Sequence, residues 1–217
     1  MAILINFTSN PLANMKTIDL QALHPSYFRA LPYPELITLD ERKYITLIGY
    51  GPAGSDEMSR LIKTLYAVAQ RLQDDYRLHE VDLKLPWVES EWWSDNLVCI
   101  HQVPATSRRW KLMIQMPDDI EAAQVEEAKK KVILEDGLAA AIWVRTEHCQ
   151  EEAAVQMLHV GPWSTEKETI TAINEYIDRN HLVSHKHHHE VYLSDPHKTD
   201  PSRLRTIIRQ DVLQRLN

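Results

Sequence analysis

The chain has 217 residues, 44% of them hydrophobic and 25% charged, and carries a formal net charge of −7. This size and balance suit one soluble globular domain of fair size, or two small units sharing a core. The acidic excess weighs against a nucleic-acid backbone as the main partner, since such partners select basic faces, and no apolar run approaches the roughly 18 residues that suggest a membrane span.

Residues 1–42 are the least regular stretch. Pro11, Pro25, Pro32 and Pro34 interrupt any long element. An N-terminal arm or small helical segment is expected here, packed on the body through Tyr27, Phe28 and Tyr33. Its start, MAILINFTSNPLANMK, lacks the basic opening and long apolar core of a secretory signal. The two cysteines, Cys99 and Cys149, form no CxxC motif, so free thiols and a cytoplasmic location are expected.

Lys43 to Tyr50, KYITLIGY, is β-branched and aromatic and reads as a strand that ends at Gly51-Pro52-Ala53-Gly54. Ser55 suits an N-cap. After it Met58, Leu61, Leu65, Val68 and Leu72 form an apolar helical stripe that ends in Gln73-Asp74-Asp75. Val81 to Leu85 alternates like a half-buried strand and Pro86 closes it. Trp110 to Met116 is another strand. Glu121 to Val132 reads as a charged helix, and Leu138 to Val144, LAAAIWV, as a buried linking strand.

The richest stretch is 156–196. Gln156 to Val160 is a short strand broken by Gly161-Pro162. Ser164 or Thr165 can cap a helix whose first turn carries Glu166 and Glu168 and which buries Ile170, Ile173 and Ile177. In the strand Glu190 to Leu193, Glu190 and Tyr192 share one face and Val191 and Leu193 the other. Leu204 to Arg209 is the last strand, and the tail from Asp211 is expected to fray.

Strand, Gly-Pro turn, helix and strand thus occur twice, as an architectural repeat without a repeated sequence. The expected fold class is α+β, with tandem pseudo-twofold βαββ repeats forming antiparallel sheet or sheets, helices on one side, and a ligand groove between the repeats. The simplest packing puts that groove on the face away from the helices. Residues 43–217 are expected to form one domain: repeat one over about 43–120, a linking helix and strand over about 121–148, and repeat two over about 150–212.

HVGPW at 159–163, HHEVYLSDP at 188–196 and LRTIIRQDV at 204–212 resemble the GyrI-like small-molecule-binding family. That family shows a His-x-Gly-Pro-aromatic turn, a Glu-x-Tyr strand followed by Ser/Thr-Asp-Pro, and a Lys/Arg-Thr-x-x-Arg strand near its end. PWVESEWW at 86–93 resembles the family's Pro-Leu-Glu-Gly-Leu-Trp-Trp segment, with Trp87 inserted and Glu91 in place of an apolar residue. RWKLMIQMPDDI at 109–120 resembles its strand between the repeats. The resemblance spans roughly Tyr44 to Val212.

The chain holds two Phe but six Trp and eight Tyr. Aromatic walls suit a flat, apolar, often cationic or conjugated ligand. Trp92, Trp110 and Trp143 read as core fillers, whereas the resemblance puts Trp93 and Trp163 at a pocket. Glu89 and Glu190 are the candidate carboxylates, one from each repeat, on opposite sides of one groove. An exposed position remains open for either. Tyr192 can hydrogen-bond a ligand or fill the core; Tyr66 is a core residue or pocket edge, and His159 a core or turn histidine that can reach the ligand. Met113 joins the ligand-binding candidates from the strand 110–116. The run His185 to His189 invites a metal reading, but adjacent strand residues point to opposite faces, so a solvated loop without metal is expected.

No GxSxG elbow, P-loop or GxGxxG motif is present, and no cofactor is expected. Stand-alone members of the GyrI-like family hydrolyse cyclopropane-bearing DNA-alkylating natural products of the yatakemycin and CC-1065 type. The chain resembles those members in its length and its EWW and GPW motifs. The implied reaction uses water activated by Glu190 with Tyr192 to open the strained ring inside an aromatic cage. The alternatives are a drug-sequestering or effector-sensing module, or a gyrase-inhibitor-like interaction protein.

Overall fold

Two Gly-Pro turns, at Gly51 and Gly161, each convert a strand into a helix, and the architecture is built around that pair. The computed structural model describes residues 15–95, 103–149, 152–196 and 198–215. In chain order the elements are β1 (Lys16–Asp19), α1 (Leu20–Leu23), β2 (Glu35–Leu39), β3 (Arg42–Tyr50), α2 (Asp56–Leu78), β4 (Val81–Lys84), β5 (Glu89–Trp93), β6 (Arg109–Met116), α3 (Ala122–Asp136), β7 (Arg145–Cys149), β8 (Glu152–Val160), α4 (Glu166–Arg179), β9 (Leu182–Tyr192) and β10 (Arg205–Gln214).

One antiparallel sheet has the order β2-β8-β10-β9-β5-β6-β3-β7. Repeat one supplies β3-β6-β5 and repeat two supplies β8-β10-β9, with β7 added beside β3 and β2 beside β8 at the two edges, so the halves join where β5 meets β9. The pairing there matches Glu89 with Val191, Ser90 with Glu190, Glu91 with His189 and Trp92 with His188. The strand β2 lies at one edge and runs into β3, near the other edge, through Asp40 and Glu41 alone. Such a short link requires the sheet to curl into a half-barrel.

Each helix is set by local chemistry. The hydroxyl of Ser55 caps α2 by accepting from Met58 N at 3.2 Å, and Asp56 and Glu57 suit its positive first turn. Leu61, Leu65, Val68 and Leu72 bury against Ile45, Leu47, Leu112 and Ile114; each such side chain stabilises the fold by about 1.5–3 kcal/mol. The helix α4 buries Ile173 and Ile177 against Val155, Ile208 and Val212. Both helices are followed by a left-handed residue, Glu80 at φ 59° and His181 at φ 55°, so the repeats match even in the backbone of their helix-to-strand turns.

The repeats differ at Pro86. Repeat two crosses the region with the single long strand β9. In repeat one the same span is interrupted at Leu85–Val88, where Pro has no N–H for a ladder, and is split into β4, outside the main sheet, and β5, within it. The expected strand at Val81 to Leu85 therefore exists but lies outside the main sheet, pairing in parallel with β1. The sheet strand of repeat one is instead the Glu89–Trp93 segment.

Other expectations are corrected. The stretch LAAAIWV is a 3-10 turn over Ala139–Trp143, with Trp143 exposed; a run of alanines favours helical turns over strands. The strand beside β3 is β7, one step later. The helix α2 continues to Leu78, past the charged stretch. His185–His189 lies inside β9, held between β5 and β10, and β10 runs on to Gln214 with a bulge near Asp211. Tyr27 and Phe28 pack on Val191 and Ile207, while Tyr33 is exposed. Cys149 is a free thiol; Cys99 lies outside the described residues. No helix among the described residues is long and apolar enough to cross a membrane.

Candidate functional site

The helix α2 covers β3 and β6, and α4 covers β8, β9 and β10. The seam between β5 and β9 lies between the two helices, and a cavity of about 820 Å³ opens above it. Met58, Ile62 and Tyr66 of α2 form one wall and Trp163 and Glu166 the other. The Leu85–Val88 segment closes one end, and Trp92, His188, Glu190 and Tyr192 form the floor. The groove between the repeats is thus on the helix-bearing face. The opposite face is filled by residues 24–31: Gln156 Nε2 donates to Arg29 O at 3.0 Å, and Leu158 N to Leu31 O at 2.7 Å.

The floor is a connected polar array. Tyr192 donates to Glu190 Oε2 at 2.7 Å, and its hydroxyl lies 2.7 Å from Ser90 Oγ. Trp92 Nε1 donates to the same Ser90 oxygen at 2.7 Å. The ring nitrogen His188 Nε2 is 3.1 Å from Glu190 Oε1. Burial, reinforced by the Glu190 charge, holds the Tyr192 phenol well above its ordinary range, so it remains a donor. Tyr66, also raised by burial, accepts Val88 N at 3.0 Å and fixes the Leu85–Val88 segment to α2. Trp163 meets Tyr192 edge-on, with ring centroids 5.8 Å apart.

A second carboxyl stands in the same cavity. Glu166, the first residue of α4, is buried, and its Oε1 has no hydrogen-bond partner among the described residues. Burial first, and the Glu190 charge second, push its pKa up to about 9. The cavity therefore faces two carboxyls, and burial disfavours the charged form of Glu166.

Of the residues singled out in the sequence, Glu190, Tyr192, Trp163 and Tyr66 line this cavity. Glu89, Trp93, Met113 and His159 do not. Glu89 shares a face with Val191, turned away from the cavity. It is fully buried, accepts from the Tyr27 hydroxyl, and sits 2.9 Å from His189 Nε2. The Tyr27 ring is itself held between the Arg42 and Arg209 guanidinium groups at 4.1 and 4.2 Å. Glu89 and Glu190 are therefore not opposed across one groove, because neighbouring residues of a strand alternate faces. Trp93 is on the Glu89 side, stacked on His187 at 4.6 Å. Met113 pairs with Glu89 and is buried beside it. His159 is a turn histidine, 2.9 Å from Thr169 Oγ1 and 3.2 Å from Pro162 O.

Trp87, Ser90, His188 and Glu166 escaped sequence reasoning. For Glu166 a signal existed: it precedes Thr169, Ile170, Ile173 and Ile177 at helical spacing, so it extends the buried stripe by one turn. Trp92 belongs both to the core and to the cavity floor.

No family model matches the chain, and a comparison with curated proteins finds no match. Solved structures do resemble it. An uncharacterised conserved protein from Listeria innocua aligns with a TM-score of 0.83 at 26% identity, over 90% of this chain and 100% of its own. Two structures described as hydrolases from Listeria innocua align at 0.82 and 0.79, both at 25% identity, over 91% and 90% of this chain and 100% of theirs. The EcmrR C-terminal domain shares the fold at a TM-score of 0.55 and 12% identity, over 84% of this chain and 98% of its own. The chain thus has a two-repeat α+β fold with a cavity at the repeat seam, and it shares that fold along nearly its whole length with the Listeria innocua proteins.

Proposed function

We propose that the protein is a GyrI-like small-molecule-binding protein that takes a flat aromatic ligand into the seam cavity and hydrolyses it. The substrate class is the cyclopropanoid DNA-alkylating natural products of the yatakemycin and CC-1065 type. The observation that carries this reading is the Glu190–Tyr192–Ser90 array on the floor of a cavity walled by Trp87, Trp92 and Trp163. The aromatic walls hold the flat dienone by stacking. Glu190 orients and deprotonates water against the strained cyclopropane, and Tyr192 fixes the carboxylate. The GPW, Glu-x-Tyr and Thr-x-x-Arg motifs and the fold shared with the Listeria innocua hydrolases support the same reading.

A second reading is ligand capture without turnover, as in a sequestering or effector-sensing module. One feature favours it: both oxygens of Glu190 are engaged, by His188 and Tyr192, as suits an anchor. Turnover separates the two. Purified protein at substoichiometric amount is incubated with a cyclopropyl-dienone compound and ring opening is followed by mass spectrometry. Linear product growth past one equivalent supports hydrolysis. A stop at or below one equivalent with retained binding rejects it in favour of capture.

A further inference from the structure

Glu166 has no task in the hydrolytic scheme above, yet it is the less committed of the two cavity carboxyls. Glu190 is held by His188 and Tyr192, whereas Glu166 Oε1 is buried without a hydrogen-bond partner among the described residues. Its residue is only 6% exposed. A buried polar atom left unmatched costs about 1–3 kcal/mol. Such atoms are expected where a ligand supplies the missing partner. Arg108 Nε, on another part of the same lining, is also a buried donor without a partner among the described residues. Two unmatched groups in one cavity, one cationic and one an acid kept neutral by its surroundings, call for acceptors on the ligand. An ionised Glu166 would instead call for a cation.

We propose that Glu166 donates its carboxyl proton to a carbonyl-type oxygen of the bound ligand, so that the cavity selects flat aromatic molecules bearing such an acceptor over cations or hydrocarbons of the same shape. This rests on the reading that the cavity binds a small molecule. For a cyclopropyl dienone the step balances. A water oxygen bonds to the cyclopropane methylene, the carbon–carbon bond to the ring breaks, and its electron pair aromatises the ring. The former dienone oxygen takes the proton of Glu166 while Glu190 takes the proton of the water. The sum is addition of one water, and the proton passes back from Glu190 to Glu166 directly or through solvent.

The test uses three flat tricyclic probes: 9-fluorenone, fluorene and N-methylacridinium. Binding is followed by calorimetry, and the carbonyl stretch of bound fluorenone by infrared spectroscopy. Wild-type protein at neutral pH is expected to bind fluorenone about tenfold more tightly than fluorene, the equivalent of one hydrogen bond, and to shift its carbonyl band to lower frequency. Glu166→Ala should lose both the preference and the shift. Glu166→Gln, which keeps an N–H donor, should retain part of each and lose the weakening that wild type shows as pH rises past about 9. If Glu166→Ala does not fold, the pH profile of Glu166→Gln decides. Bound fluorenone with an unshifted band, or a Glu166-dependent preference for N-methylacridinium at neutral pH, overturns the inference and leaves the binding reading standing. Failure of all three probes to bind removes the binding reading, and this inference with it.

Discussion

Ser90 on β5 and Glu190 on β9 are direct cross-strand partners at the seam between the repeats. That one register decides which acid serves the cavity. It turns Glu190, Tyr192 and Trp92 toward the helices and Glu89, His189 and Trp93 away from them. A shift of β5 by one residue would turn its own side chains over. The cavity face would then hold Glu89, and the Tyr27–Glu89–His189 cluster would not form.

Glu89 is therefore expected to matter for stability and not for ligand binding. Its carboxyl accepts from Tyr27 and lies beside His189 in a fully buried setting. Glu89→Ala removes the buried acceptor that Tyr27 and His189 share, leaving Tyr27 only the Tyr44 hydroxyl at 2.8 Å, and should cost about 3 kcal/mol. Denaturant unfolding measures the loss, and titration with 9-fluorenone under native conditions should give an affinity within twofold of wild type, about the scatter of such a measurement. A stable variant that no longer binds would show that Glu89 reaches the ligand after all.

Tyr192 acts through Glu190 as a positioning residue. Tyr192→Phe removes the hydroxyl that lies between Ser90 Oγ and Glu190 Oε2 and keeps the ring against Trp163. Turnover of a cyclopropyl dienone should fall on the order of a hundredfold while KM changes little, because the walls that hold the ligand are intact. Glu190→Gln should abolish turnover and still bind a neutral ligand. Equal losses in affinity and rate for Tyr192→Phe would make it a ligand contact instead.

Much of the fold was legible because its punctuation is local. Gly51-Pro52 and Gly161-Pro162, the Ser55 cap, and the Leu61–Leu65–Val68–Leu72 stripe are each readable within a few residues. What was not legible depends on pairing across long separations. Nothing within Glu89–Trp93 states which face each side chain takes; the partner strand β9, about a hundred residues later, fixes it. His185–His189 lacks strand propensity, and the pairing of His188 and His189 with β5 and β10 holds its end extended. Pro86 marked a strand end, but only the packed structure shows that the strand before it lies outside the main sheet and that the segment around it provides an end wall for the cavity. Glu190 and Tyr192 were found because alternation and the motif agree. Glu166 was missed because an acid in the first turn of a helix already has a sufficient explanation in the helix dipole.

The burial of Glu166 carries a pH signature. Its folded pKa of about 9 lies above the ordinary 4.5, so the folded protein keeps a proton that the unfolded chain has released. The resulting stabilisation is fully present below about pH 4.5 and is lost as pH rises toward about 9, at up to about 1.4 kcal/mol per pH unit. Wild-type stability should therefore decline across that window more steeply than that of Glu166→Gln. The two proteins should be close near the acid end, and the variant should be the more stable one near the alkaline end. Urea unfolding at several pH values measures this, and parallel profiles would mean that Glu166 is ionised in the folded state.

Gly49 and Trp143 test the packing of repeat one from opposite directions. Gly49 pairs with Trp110 across β3 and β6, and the indole lies over it so closely that an added Cβ would come within 2.2 Å of the ring. Trp110 is fully buried in the core that also holds Leu47 and Leu112, so it has little room to withdraw. Gly49→Ala should destabilise by about 3 kcal/mol, the upper part of the overpacking range, even though alanine is the smallest side chain that can be added. Trp143, by contrast, is 66% exposed at the end of its 3-10 turn. Trp143→Ala should change stability by less than about 0.5 kcal/mol, as for other surface positions. Thermal melts of the two variants beside wild type check both values. If Trp143→Ala proves the more damaging, LAAAIWV packs as the buried strand that its composition suggested, and Gly49 has slack that the geometry does not show.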